Sequence, residues 1–347
     1  MSGINQKPGG SFPYVIRFRF LIHDLAGQWG GPGPVKLSPM CALTDVPPSP
    51  VNLLLPWSWQ TPEGFALRGW RSPASGKPVL HFIHGTGMCG LTYWPVLEPL
   101  LPQVDLFISD LHGHGDSDGQ APFVGWNRSA ELALAAWQAH AADYGPVETI
   151  AAGHSLGAVI SAMMLGSTPG VFNRGLLLDP VIMPPLMRAL GWLGERTGLY
   201  ARNKLALRAR ARRQQWSSRQ HARDYLHQRG IFRGWSAPAL AAYVDHALDH
   251  AVDGRCQLKC PPQIEADIFG SLPQGLWPLL DKVAVPVDVV MGEQSYPFAR
   301  KASSQWARRN ARVRVHSVTG DHCYMQDAPD ASAELLRALL SDGAVSR

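Results

Sequence analysis

Cysteine is scarce in this chain: five residues in 347, at Cys41, Cys89, Cys256, Cys260 and Cys323. An odd number at wide spacing excludes the dense framework of a small disulfide-stapled secreted domain, so a reducing, cytoplasmic setting is expected. Cys256-Gln-Leu-Lys-Cys260 has one spacer too many for a thioredoxin-type pair, and no second close Cys/His pair completes a zinc site. These are read as structural thiols. Long apolar runs are also missing, and no stretch approaches the roughly 20 residues that cross a bilayer. Val15 to Leu25 is broken by Arg17, Arg19, His23 and Asp24 and lacks a cleavage site, so no signal peptide is expected. Charged residues are few, at 17%, and the formal net charge is +5. Much of that excess lies in Arg202, Arg208, Arg210, Arg212, Arg213, Arg219, Arg223 and Arg229. A solvated helix face is the plain reading and attraction of an anionic substrate or carrier the functional one; no nucleic-acid-binding module accompanies the arginines. Internal repeats are absent.

What is present is apolar content, 46% with 12 tryptophans, which excludes a disordered chain. Residues 1–50 are rich in breakers, with Gly30-Gly31-Pro32-Gly33-Pro34 and Pro47-Pro48-Ser49-Pro50, and read as a Gly/Pro-rich extension. A hairpin follows, Leu53 to Gln60 and Phe65 to Arg71 around Thr61-Pro62-Glu63-Gly64. Strands are then expected at Val79–Ile83, Val104–Ser109, Val147–Ala152, Gly175–Leu178, Val285–Met291 and Val313–Val318. Helices are expected at Leu91–Leu101, Arg128–Tyr144, after Ser155, and at Ala333–Leu340. This alternation predicts a mainly parallel sheet covered on both faces. Residues 181–280 break the rhythm with helical patterning, a capping-box match at Ser217-x-x-Gln220, and apolar residues including Trp216, Tyr225, Leu226, Trp235, Leu240 and Tyr243. An insertion there reads as a helical cap over the carboxyl edge of the strands, where open α/β sheets place their sites. The expected division is therefore 1–50 extension, 51–180 with 281–347 core, and 181–280 cap.

The most informative residues are Gly153-His154-Ser155-Leu156-Gly157. A G-x-S-x-G string between a buried strand and a helix places the serine on a tight, strained turn at a helix N-terminus. The backbone N–H groups and the dipole there favour developing negative charge. Two further strings follow the same order: His84-Gly85-Thr86-Gly87 after the Val79–Ile83 strand, and Asp110-Leu111-His112-Gly113-His114-Gly115-Asp116-Ser117 after the next. Together these resemble the α/β-hydrolase superfamily, of the capped serine-hydrolase, esterase- or lipase-like type, from about Leu53 to the C-terminus. His112 stands where arginine is usual.

The resemblance implies an α/β-hydrolase sheet with the cap inserted after the sixth strand, and Ser155 as nucleophile. The backbone N–H groups of Leu156 and Thr86 become oxyanion donors, with Gly87 the alternative to Thr86. His322, in Gly320-Asp321-His322 after the last strand, is the expected general base. His81, His84, His112, His114 and His154 are read as strand, loop or motif-structural residues. For the acid the family position three residues after Gly292 holds Ser295, which leaves Asp179, preferred, and Glu293 as alternative. The expected activity is cleavage of a carboxylic ester or thioester of a small hydrophobic substrate through an acyl-enzyme on Ser155, without metal or organic cofactor. A carbon-carbon hydrolase or lactonase is the rival within enzymes, and a ligand-binding protein of the same fold is the rival outside them.

Overall fold

The structure is a computed structural model in which residues 52–119, 122–185 and 200–345 are described. The expected extension, residues 1–50 with Cys41, lies outside the described residues. Eight strands build one sheet: β1 (Leu55–Gln60), β2 (Ala66–Arg71), β3 (Val79–Ile83), β4 (Asp105–Asp110), β5 (Thr149–His154), β6 (Arg174–Leu178), β10 (Val287–Gly292) and β11 (Val313–Val318). Their spatial order is β1-β2-β4-β3-β5-β6-β10-β11. β1 and β2 form the expected antiparallel hairpin and β2 runs antiparallel to β4; every other neighbour pair is parallel. The register places Ile83 beside Gly153, His154 beside Leu178, and Leu178 beside Val290. The carboxyl ends of β3, β5, β6 and β10 therefore open on one edge, which is where a site can be assembled.

Alternation along the strands divides the core into two layers. On one face Val79, Ile83, Phe107, Ala151, Leu177 and Val289 join residues of α2 (Trp126–His140), α3 (Leu156–Ser167), α8 (Leu276–Asp281) and α9 (Pro297–Arg309). On the other, Leu80, Phe82, Leu106, Ile150, Leu176 and Val290 meet α1 (Trp94–Leu97) and α11 (Pro329–Val345). β3, β4, β6 and β10 are buried at every position, as strands covered on both faces must be. α3 is buried at eleven of its twelve residues, and a Cβ at Gly166 would lie 2.2 Å from the Leu279 carbonyl of α8. The central helix is thus apolar all round because other helices enclose it.

Between β6 and β10 lie α4 (Lys204–Arg210), β7 (Gln215–Trp216), α5 (Arg219–Leu226), α6 (Ala237–His246), β8 (Leu248–His250), β9 (Cys256–Leu258), α7 (Pro262–Phe269) and α8. The three short strands make a second antiparallel sheet, β7-β9-β8. A helical insert was expected, and these strands were not anticipated because two or three residues are too few to show a period of two. Trp216, Leu226, Phe232, Trp235, Leu240 and Tyr243 are buried and continue the core layer that contains Tyr93, Trp94 and Tyr324. They hold the insert on the sheet. The helix start expected at Ser217 begins one residue later: Ser218 is the cap and its hydroxyl accepts from His221 N. The expected helix Leu91–Leu101 is broken into two 3-10 turns flanking α1, because Pro95 and Pro99 each lack a backbone donor. Among the described residues, no helix is long and apolar enough to cross a membrane.

Candidate active site

Ser155 sits between β5 and α3 with φ of +53° and ψ of −114°, a backbone that L-residues adopt only under strain. Sterics around it explain the two glycines. A Cβ at Gly157 would come within 2.1 Å of the Ile83 carbonyl oxygen, and one at Gly153 within 2.6 Å of the Gly157 backbone. The turn is fixed by Ser155 N donating to the Leu178 carbonyl at 3.0 Å and Gly157 N donating to the His84 carbonyl at 3.1 Å. Leu156, fully buried, opens α3, so its N–H belongs to the unpaired first turn of a helix.

His322 lies on the loop between β11 and α10 (Tyr324–Asp327). Its Nε2 is 2.9 Å from Ser155 Oγ and its Nδ1 2.9 Å from Asp179 Oδ1. Asp179, completely buried at the end of β6, also has a positive φ, +45°. It accepts from Gly292 N at 2.8 Å on Oδ2 and from the Ser295 hydroxyl on Oδ1. With a carboxylate at Nδ1, that nitrogen carries the proton and Nε2 is left to accept from the serine hydroxyl. Glu293, the alternative acid, is exposed on the loop after β10, and the His322 imidazole meets Asp179 instead. Ser295, standing where the family usually has aspartate, donates to Asp179, so this loop keeps a hydrogen bond to the carboxylate it does not itself supply.

His154 contributes more than its position in the motif suggested. Its Nε2–H donates to the His322 carbonyl at 2.8 Å, and its Nδ1 accepts from Tyr93 OH at 2.6 Å. The same phenol oxygen accepts from Gly85 N at 3.0 Å, so one chain of bonds ties the loop after β3 to the loop carrying His322. Burial, reinforced by the neighbouring His322, holds the His154 pKa well below the ordinary imidazole value, so it stays neutral. The Tyr296 ring lies 4.7 Å from the His322 ring and limits its rotation. Sequence reading missed Tyr93, His154 and Tyr296 in these roles. Only the placement of His154 beside the serine was a signal.

In the loop after β3, Gly87 N donates to His114 Nε2 at 3.1 Å. That N–H is committed, whereas Thr86 is half-buried between Gly85 and Gly87. The loop after β4 is anchored through Asp110, which accepts from Gly90 N at 2.7 Å and Asp116 N at 3.0 Å. His112, in the usual arginine place, is buried against Phe65 at 4.5 Å between ring centroids, and neither ring nitrogen has a hydrogen-bond partner among the described residues. Cys89, Cys256, Cys260 and Cys323 are buried and unbridged. Among the described residues, no group of three His, Cys, Asp or Glu side chains has metal-holding geometry.

A mostly parallel eight-stranded sheet with a strained serine at the β5–α3 turn defines an α/β-hydrolase fold. The sequence matches the model of the Alpha/beta hydrolase family over residues 82–335, and the chain belongs to that family. Solved structures agree on the fold. E-2-(acetamidomethylene)succinate hydrolase superposes with a TM-score of 0.65 at 21% identity, over 83% of this chain and 99% of that one. The thioesterase domain from the curacin biosynthetic pathway gives 0.63 at 17% identity, over 83% and 99%. An esterase of M. tuberculosis gives 0.61 at 20% identity, over 92% and 97%. No curated protein matches the sequence.

Proposed function

We propose that the protein is a serine hydrolase that cleaves a carboxylic ester or thioester of a hydrophobic substrate through an acyl-enzyme on Ser155. The observation that carries this reading is the unbroken series from Ser155 Oγ through both nitrogens of His322 to Asp179, each contact 2.9 Å. His322 Nε2 takes the hydroxyl proton as Ser155 attacks the carbonyl carbon, then gives it to the leaving group. In the second half the same nitrogen activates water. Asp179 holds the tautomer and stabilises the imidazolium. Negative charge developing on the carbonyl oxygen is met by the N–H groups of Leu156 and Thr86 and by the positive end of α3. The commitment of Gly87 N to His114 favours Thr86 over Gly87 as second donor.

Residues 181–280 act in this reading as the cap, with α8 seated on α3 as its attachment to the core. The apolar segment Val181-Ile182-Met183 follows directly on Asp179 and Pro180, and its half-buried members Val181 and Met183 support a hydrophobic group beside the acid. Ser155 itself is only 8% exposed, so a substrate carbonyl bound there reacts in surroundings poor in water, where oriented N–H groups act most strongly.

The test is labelling with a fluorophosphonate followed by peptide mapping. The label is expected on Ser155, and none on Ser155→Ala or His322→Ala protein that retains its fold. A label that persists elsewhere in Ser155→Ala sinks the nucleophile. Intact protein that reacts with no probe favours the non-enzymatic ligand-binding alternative. A panel of esters, thioesters, lactones and β-diketones then separates ester chemistry from the lactonase and carbon-carbon rivals.

A further inference from the structure

The insert carries a buried charge cluster that the reaction above does not use. Arg212 Nη1 donates to Glu265 Oε2 at 2.8 Å, and Arg212 Nη2 donates to Tyr243 OH at 2.5 Å. The side chains of Arg212 and Glu265 are 12% and 4% exposed, and the guanidinium lies 5.9 Å from the centroids of both the Phe232 and Tyr243 rings. Removing two charges from water is costly, and an apolar trio of the same volume would hold the insert together at least as well. What the cluster touches supplies the reason for it.

All three side chains converge on one residue of the core, Gly87. Tyr243 OH donates to the Gly87 carbonyl at 3.3 Å, and a Cβ on Gly87 would lie 3.0 Å from Arg212 Nη1 and 3.1 Å from Glu265 Oε1. Gly87 adopts φ of +72°, and its N–H is held from the other side by His114. Its nitrogen and carbonyl are therefore bonded to different neighbours, and the Arg212–Glu265 pair lies close over its Cα. The residue before it is Thr86, whose N–H the preceding reading assigns to the oxyanion. The Thr86 N–H lies in the Gly85–Thr86 peptide, whose carbonyl accepts from His84 Nδ1 at 2.9 Å; the cluster holds the following backbone through Gly87, and so fixes the Thr86 Cα about which that N–H would otherwise shift.

We infer that Arg212, Glu265 and Tyr243 are positioning residues: a clamp, borne by three segments of the insert, that presses on Gly87 and holds the Thr86 N–H aimed at the oxyanion. The pair must be charged because one guanidinium fork reaches Glu265 and Tyr243 together, giving the clamp a fixed shape that no single apolar side chain reproduces. This deepens the serine-hydrolase reading and rests on it. It also gives the insert a share in transition-state stabilisation, separate from any contact with substrate.

Single removal of Arg212 or Glu265 strands a buried charge and risks the fold, so the informative variants are Arg212→Met/Glu265→Gln together and Tyr243→Phe, which leaves the ion pair intact. Each is compared with the parent for kcat and KM on a chromogenic ester, for the Ki of a trifluoromethyl ketone whose adduct with serine carries an oxyanion, and for amide hydrogen exchange of residues 84–89. For the double variant kcat is expected to fall about tenfold to a hundredfold, as misaimed donors do, with KM changed less than about threefold. The ketone Ki should rise by the same factor as kcat/KM falls, and exchange at residues 84–89 should accelerate. Tyr243→Phe moves the same way by about threefold to tenfold. Folded variants that keep kcat and ketone affinity overturn the clamp, and so does a rise in KM alone, which would mark a substrate contact. The exchange measurement separates the two ideas: a parent that turns over no ester defeats the hydrolase reading, whereas unchanged exchange in the variants defeats the clamp whether or not turnover is seen.

Discussion

Replacing Asp179 by asparagine changes one atom and tests the assignment of the acid. The carboxylate accepts three hydrogen bonds: Gly292 N on Oδ2, and His322 Nδ1 and the Ser295 hydroxyl on Oδ1. An asparagine offers one acceptor oxygen and one donor NH2 group, so it satisfies only one side. Gly292 N–H is a fixed backbone donor, while the Ser295 hydroxyl rotates and the His322 ring can move its proton. The amide oxygen therefore turns to Gly292 and the NH2 group faces His322, where only an unprotonated Nδ1 can accept. That tautomer puts the proton on Nε2, pointing at Ser155 Oγ, and the base becomes a donor. The expected cost is about 10⁴-fold in kcat, the size seen when the same change is made in a serine-protease triad, equivalent to about 5.5 kcal/mol of barrier. The bond from Gly292 survives, so the melting temperature should move by only a few degrees. The assay is steady-state hydrolysis of a chromogenic ester with a parallel thermal melt, and Glu293→Gln, altering an exposed carboxylate, serves as the control with most activity retained. An Asp179→Asn protein within tenfold of the parent, or a Glu293→Gln protein as impaired as Ser155→Ala, would refute the reasoning.

Two other outcomes follow from the same structure. Gly157→Ala should lower the melting temperature by several degrees and abolish fluorophosphonate labelling, because the new methyl group meets the Ile83 carbonyl at 2.1 Å and overpacking against backbone costs about 1–3 kcal/mol or more; normal melting with normal labelling would contradict the close approach. His81, fully buried in β3, is pushed by burial from 6.5 to about 3, so between those values the unfolded chain binds the extra proton and stability falls as pH drops from 6.5, by up to about 1.4 kcal/mol per pH unit. Asp110, raised to about 7 by burial and by Asp116, acts with the opposite sign: the native state binds its proton between about 4 and 7, and that contribution is lost as pH rises through this window. Urea unfolding of His81→Gln from pH 6.5 to 4 should accordingly show a shallower acid-side slope than the parent, by about one proton, and an identical slope would mean that His81 is not among the groups responsible.

The parts of the fold that sequence reading located are those in which backbone chemistry and burial act on the same short string. Gly153 and Gly157 were legible because only glycine survives a carbonyl at these distances, and β3, β4, β6 and β10 because strands covered on both faces become continuous apolar runs. The acid was harder. Asp179 and Glu293 both follow buried strands, and only the register, which sets Leu178 beside Val290, shows that the end of β6 opens on the edge where His322 arrives. Ser295 made the later loop look defective, yet its hydroxyl serves the carboxylate it seemed to replace. The aromatic residues of the insert read from composition only as apolar; Trp216, Trp235 and Tyr243 in fact continue the core layer that seats the insert on the sheet, a placement composition cannot give. The short strands β7, β8 and β9 fell below the length at which alternation is readable.

A buried aspartate bonded to a histidine does not by itself mark a reactive site, since the described residues hold two such pairs, one beyond the ends of β6 and β11 and one within β10 and β11. Asp288, fully buried near the start of β10, lies 2.8 Å from His316 Nε2, and also accepts from Arg174 at 3.4 Å and from Arg314 at 3.0 and 3.1 Å. Two guanidinium groups already compensate that carboxylate, and its partners sit on the strands themselves, so the cluster staples β6, β10 and β11 at the amino end of the sheet. Among the described residues, Asp179 has no cation as a hydrogen-bond partner, only a backbone N–H, a hydroxyl and an imidazole. In the proposed reaction its charge therefore stays available to stabilise an imidazolium when His322 gains a proton. Asp179 and His322 also lie at the carboxyl edge, beside the open end of a helix and a serine on a strained turn. The difference between the two pairs is thus one of remaining charge and of which end of the parallel strands they occupy, and a parallel sheet with its crossovers on both faces leaves only the carboxyl end free to receive loops that carry chemistry.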